Sequence, residues 1–164
     1  MTDTEHPHMS RAAHKRLADE LEELTTAGRA KISERLQRAR ELGDLSENAE
    51  YHETKNMQGM MEARIRTLEH LLRNAEVVDP PAAADSAIAG MFVTLRPVDG
   101  GEDEVYLLAE TSEERAPNAR TVTVGSPLGS AVVGRHVGDP VRYTAPGGTF
   151  SYELVKLEPW DGSP

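Results

Sequence analysis

The sequence predicts an α+β protein: an N-terminal antiparallel α-helical coiled-coil hairpin, then a small antiparallel sheet with one short helix. Three observations predict it. Apolar residues recur at helical spacing to about residue 76, interrupted only by Gly43-Asp44-Leu45-Ser46-Glu47-Asn48-Ala49-Glu50-Tyr51. Pro80-Pro81 ends that pattern. Beyond it the apolar period becomes that of strands, with glycine-containing turns between them.

The first residues, 1–9, are polar and histidine-containing and predict a disordered tail. His6 and His8 offer a weak metal site, but a solvated tail is the simpler reading. The first helix, about 10–41, carries Leu17, Leu21, Leu24, Ile32 and Leu36. Gly28 lies inside it at about 1 kcal/mol relative to alanine and predicts a kink or break near Thr25 to Gly28. The second helix, about 47–76, places Met57, Met61, Ile65, Leu68, Leu72 and Ala75 at steps of four and three, a coiled-coil seam packed on the first helix. Toward the turn Glu50, Tyr51 and Thr54 replace aliphatics, so polar contacts should hold that end. Arms of about 30 residues make a rod about 45 Å long at 1.5 Å per residue. The short link forces the helices antiparallel, which puts Asp44 and Glu47 at the tip.

Residues 80–89 read as a linker and 90–158 as a globule, with 159–164 a second tail. Strands are predicted at 90–96 and 104–108, joined by the hairpin turn Asp99-Gly100-Gly101, and at 120–124. Ser126-Pro127-Leu128-Gly129 opens a short helix, with Ser126 as N-cap and Pro127 at the first helical position. Strands at 140–144 and 149–157 flank Ala145-Pro146-Gly147-Gly148. Trp160 reads as a surface or edge packing residue.

Composition narrows the function. Aromatics are only 4% of the 164 residues and charged residues 28%, which suits a helical rod with a small globule better than one large core. The absence of cysteine excludes disulfides, thiolate metal sites and a cysteine nucleophile, and suits a reducing compartment. No apolar run approaches the ~18–20 residues that span a membrane, and the N-terminus lacks the apolar centre of a signal peptide. A soluble, cytoplasmic protein is therefore the default, and a monomer is expected. The net charge is -10, and both halves are acidic: residues 1–79 hold 12 basic and 16 acidic side chains, residues 80–164 hold 6 and 12. Stable binding to duplex DNA alone is not expected, because counterion release needs clustered cations. If the protein works near nucleic acid, another protein should hold it there.

Residues Ala39 to His52, centred on Gly43-Asp44-Leu45-Ser46-Glu47-Asn48-Ala49-Glu50-Tyr51, closely resemble the tip of the Gre transcript-cleavage factors of bacteria. Leu17-Ala18-Asp19-Glu20-Leu21-Glu22-Glu23-Leu24 resembles that family's opening helix. Ser126-Pro127-Leu128-Gly129, Val137-Gly138-Asp139 and Ala145-Pro146-Gly147-Gly148 fall where the family has its SP[IL]G, GD and PGG elements. The resemblance covers roughly residues 10–158. It implies an FKBP-like C-terminal globule that docks at the rim of the RNA polymerase secondary channel, with Ser126, Pro127 and Leu128 in the docking region. A basic residue usual in the family is replaced by Ser130. It also implies that the coiled coil enters the channel. There Asp44 and Glu47 would help the polymerase hold a second Mg²⁺ and its water, and the polymerase would cut the 3′ end of a backtracked RNA. The Mg²⁺ is shared with the polymerase active site, and the free protein is expected to bind none.

The chemistry suits these residue types. Two-metal phosphodiester hydrolysis uses one ion to activate water and another at the leaving oxygen. Mg²⁺ prefers oxygen ligands and keeps several waters, so one or two added carboxylates suffice for a loosely held ion. Asp44 and Glu47, three apart at a helix start, can project from one side, with Ser46 and Glu50 as tip support. The same D-x-x-E spacing is also a capping box for the second helix, and both roles remain open. Arg35, Arg38 and Arg40, in a basic run with Arg29 and Lys31, either face RNA or the channel wall or pair with Glu34 and Glu41. Tyr51 is expected to pack at the end of the hairpin, and Glu50 to be solvated or to pair near Lys55.

The reading is an accessory factor that stimulates the polymerase's own nuclease centre. A relative of the same fold could instead occupy the channel and inhibit transcription, but the intact acidic tip favours cleavage. A free-standing prolyl isomerase needs an aromatic-lined pocket, and Phe92 and Phe150 are the only phenylalanines. A plain helix-binding protein would not need residues 43–51 in this form.

Overall fold

Helical spacing recurs in the computed structural model, which describes residues 6–44 and 47–163, and the kink or break expected near Thr25 to Gly28 is a π-helical turn in a continuous helix. The chain forms two units, one of residues 15–74 and one of the residues up to 14 together with 75–164.

The first unit is helical. Helix α1 (Arg11–Glu23), which begins in the other unit, runs into a π-helical turn (Leu24–Gly28) and then α2 (Arg29–Glu41); α3 (Ala49–Asn74) returns. The π-turn is the interruption expected near Gly28. Thr25 Oγ1 donates to the carbonyls of Leu21 (2.7 Å) and Glu22 (3.2 Å), and Thr26 Oγ1 donates to Glu22 (2.6 Å). Hydroxyls that compete for carbonyls one turn back loosen a helix locally. A Cβ on Gly28 would lie 3.1 Å from Met61 Sδ, so the missing side chain lets α3 approach the turn closely.

Contacts between Ala39 and Asn48, Arg35 and Met57, Arg29 and Glu62, and Glu20 and Arg64 show the helices antiparallel. Leu17, Ile32, Leu36, Ala39, Ile65 and Leu68 are buried, each leucine or isoleucine contributing about 1.5–3 kcal/mol. Met57, expected in the seam, is 39% exposed. Nearer the turn the buried residue is Thr54, whose Oγ1 donates to Glu50 O at 2.8 Å. Between the helices at that end Asn48 Nδ2 donates to Ala39 O, so a polar contact joins the burial of Leu36 and Ala39.

The second unit holds two sheets. In the smaller, β1 (His8–Ser10) pairs in parallel with β2 (Glu76–Val78). The expected tail therefore gives way to a strand at His8; Met1 to Glu5 lie outside the described residues. Met9 is fully buried, which a solvated tail would not be. The larger sheet orders β3 (Met91–Pro97), β4 (Glu104–Ala109), β5 (Arg120–Thr123), β6 (Pro140–Ala145) and β7 (Gly148–Pro159) as β5-β4-β3-β7-β6. The sheet is mixed, not antiparallel throughout: β5 runs parallel to β4, from Tyr106↔Arg120 to Ala109↔Thr123. The connection across 110–119 is long enough to return the chain to the start of β4, where a tight turn would have enforced an antiparallel partner.

Helix α4 (Pro127–Val132) places Leu128 and Val132 in a core with Val93, Leu95, Leu108, Val141 and Leu154. Gly129 permits this. A Cβ there would stand 1.9 Å from Thr123 O, a backbone atom that cannot yield. Trp160, expected at the surface or in edge packing, is not at the surface: it is 6% exposed, its ring meets Phe92 edge-on at 6.4 Å, and its indole N–H donates to Ser163 O at 3.1 Å. The stretch expected as a linker is partly tied down, since Ala87 N–H donates to Arg135 O and Gly134 N–H to Ala87 O, both at 2.8 Å. Among the described residues no helix is long and apolar enough to cross a membrane.

Candidate functional site at the hairpin turn

Helix α2 ends with Leu42 N–H on Ala39 O at 3.3 Å. Gly43 follows at φ +127°, a conformation that glycine adopts without strain. Helix α3 does not start until Ala49. Its cap is Asn48: Oδ1 accepts from Tyr51 N–H at 3.1 Å, and the backbone carbonyl accepts from His52 N–H at 3.1 Å. The other end of the same amide, Nδ2, donates to Ala39 O on the last turn of α2. One side chain thus serves an orphan donor of one helix and a terminal carbonyl of the other.

This assignment gives the cap of α3 to Asn48 rather than to the Asp44–Glu47 spacing. In a capping box, Asp44 would be the cap and Glu47 the third helical residue. Glu47 instead precedes the helix, and both Asp44 and Glu47 are exposed in the turn. Ser46 lies outside the described residues. Glu50 sits exposed in the first turn of α3, and Lys55, its suggested partner, donates to Gln58 Oε1 at 3.0 Å.

The basic run divides. Arg38 pairs with Glu34, and Arg29 grips Glu62 through Nε and Nη2, each at 2.9 Å. That hydrogen-bonded guanidinium holds the Glu62 carboxyl below its ordinary range. Arg35 Nη1 donates to Met57 Sδ at 3.2 Å, and Arg40 lies 5.9 Å above the Tyr51 ring. Tyr51 is half-buried and edge-on to His52 at 5.8 Å, the packing role expected of it.

The second set of candidates surrounds α4. Ser126 Oγ accepts from Gly129 N–H at 3.1 Å and donates to Thr123 O at 2.8 Å. Pro127 is exposed at the first helical position, whereas Leu128 is only 9% exposed and belongs to the core. Ser126, Pro127 and Leu128 all border an open groove of about 390 Å³ with Val122, Tyr143 and Ala145. Asp139 closes the neighbouring turn by accepting from His136 N–H at 2.8 Å, which depresses its carboxyl. Sequence reasoning missed Asn48 as the cap, although an asparagine just before a helical run is the available signal.

The helical unit thus exposes Asp44 and Glu47 in its turn, and the mixed sheet of the other unit carries the Ser126-Pro127-Leu128-Gly129 helix. Residues 8–77 match the family model for the N-terminal part of transcription elongation factors, and residues 82–159 match the C-terminal model of GreA/GreB. The chain belongs to the GreA/GreB family of transcription elongation factors. It is 41% identical over 149 residues to the transcription elongation factor GreA of Thermotoga neapolitana, covering 91% of this chain and 95% of that one. It is likewise 41% identical over 156 residues to the GreA of Streptomyces coelicolor, covering 94% of each. Among solved structures it is similar to the GreA factor homolog 1 of Thermus thermophilus, 22% identical over 93% of this chain and 98% of that one, with a TM-score of 0.41.

Proposed function

We propose that this protein binds RNA polymerase at its secondary channel and stimulates the polymerase's cleavage of backtracked RNA, with Asp44 and Glu47 delivered by the hairpin turn. The observation that supports this most directly is the cap of α3. Asn48 performs it, which leaves Glu47 ahead of α3 and exposed in the turn, as a ligand shared with another molecule must be. In this reading the hairpin is a coiled coil that enters the channel, the C-terminal unit is an FKBP-like docking module, and the protein acts in the cytoplasm as a monomer. It is an accessory factor; the nuclease centre is the polymerase's.

Asp44 and Glu47 are hard oxygen donors of the kind Mg²⁺ takes, and their exposure in the turn suits a ligand shared with another molecule. Two carboxylates leave most octahedral positions to water and to the partner, so the ion belongs to the complex. Bound Mg²⁺ would acidify water and neutralise charge on the phosphate. The chain's own contribution is to place the two carboxylates, with Glu50 beside them, next to the RNA 3′ end. Arg35, Arg38 and Arg40 flank that path on α2. Docking falls to the surface around Ser126, Pro127 and Leu128, and Leu128 also anchors α4 in the core.

The test is a backtracked elongation complex with 3′-labelled RNA and Mg²⁺. The wild-type protein releases short 3′ fragments. Asp44→Ala and Glu47→Ala lose release by 10²-fold or more, on the order expected for groups that stabilise transition-state charge, while still competing for polymerase. Slowed elongation without cleavage by the wild type would instead favour a channel-occupying inhibitor.

A further inference from the structure

We propose that Asn48 is a positioning residue for the acidic turn, holding the two ends of the segment that carries Asp44 and Glu47; this rests on the cleavage reading above. Residues 43–47 are bounded by the end of α2 and the start of α3. At that boundary the Asn48 amide accepts from Tyr51 N–H through Oδ1 and donates to Ala39 O through Nδ2. The first bond is ordinary helix capping. The second is not needed to start α3. It spans nine positions of sequence and ties the turn's exit to the last buried turn of α2, where Ala39 is fully enclosed.

The surroundings add support for the clamp. Arg40, next to Ala39, lies over the ring of Tyr51, whose own N–H is the one capped. Neither carboxylate is buried, so packing of their side chains does not orient them. The segment that carries Asp44 and Glu47 leaves from the two helix ends, so its placement follows where those ends stand. A displacement of about 1 Å is enough to lower a positioned reaction by up to 10²-fold.

Capping and clamping separate by mutation in the full-length protein. Asn48→Ser and Asn48→Asp both keep a side-chain oxygen for Tyr51 N–H, and neither offers an amide donor to Ala39 O. Both are expected to keep wild-type helix content, thermal midpoint and half-saturating concentration for polymerase. At saturating factor both should cleave about tenfold more slowly and need several-fold more Mg²⁺ for half-maximal rate. The Mg²⁺ dependence distinguishes positioning from partial unfolding, since a smaller folded fraction lowers amplitude without moving the half-saturation point. Asn48→Ser cleaving at the wild-type rate with unchanged Mg²⁺ dependence, while Asp44→Ala is inactive, would overturn this proposal and leave the cleavage reading standing. A wild-type protein that does not cleave would overturn both.

Discussion

Glu114 holds Ser10 across 104 positions of sequence, accepting from its backbone N–H at Oε1 and from its hydroxyl at Oε2, each at 2.6 Å. Ser10 Oγ in turn accepts from Ala13 N–H at 3.1 Å, so it is the N-cap of α1. Glu114 is 5% exposed, and a carboxylate at a helix start also meets the positive end of the helix dipole.

Removing that carboxylate leaves a partly buried backbone donor without its partner. Glu114→Ala is expected to destabilise the protein by about 1–3 kcal/mol in urea unfolding. Glu114→Gln, which retains one acceptor oxygen, should cost about half as much. A full-length Glu114→Ala variant as stable as wild type would show that the contact contributes nothing net.

Gly129→Ala is expected to be far more damaging than its one methyl implies. The new Cβ would fall 1.9 Å from Thr123 O, 2.8 Å from Thr123 C and 3.0 Å from Val124 Cα, all backbone. Helix α4 must lift from β5 and draw Leu128 and Val132 from the core, at about 3 kcal/mol or more. Thermal unfolding followed by near-ultraviolet circular dichroism reads the loss. At Gly28 the neighbour is the flexible end of Met61, so alanine should be tolerated there.

Alkaline pH is expected to unfold the sheet unit through two of its tyrosines. Burial raises Tyr106, aided by its hydrogen bond to Glu104, and burial with the nearby Glu104 charge pushes Tyr152 up to about 12. An unfolded tyrosine ionises near 10. Above that value the unfolded chain binds fewer protons than the folded one, so stability falls as pH rises. The contribution is intact below about pH 10 and is lost for Tyr152 as pH approaches about 12. Absorbance at 295 nm should show late tyrosine ionisation coinciding with loss of structure, and Tyr152→Phe should flatten the stability slope over that window.

Local order was legible. The three- and four-residue steps of Ile65 and Leu68, the irregular turn ending at Gly28, and Ser126 as cap with Pro127 behind it each depend on neighbours a few residues away. The turn that carries Asp44 and Glu47 was legible for the same reason. The cap of α3 was not, because Asp44 with Glu47 and Asn48 alone are both valid helix starts. The choice went to Asn48, whose amide also reaches Ala39 on the opposite helix.

The amino-acid order by itself determined two antiparallel helices with an acidic turn, and a strand-rich unit with one capped helix, because hydrophobic period and turn chemistry act over one or two turns of chain. Only the tertiary structure decided that β5 lies parallel to β4, that His8 to Ser10 joins β2, and that Trp160 is buried against Phe92. Those outcomes depend on which distant backbone edge and apolar surface a segment meets, and no local periodicity encodes that meeting.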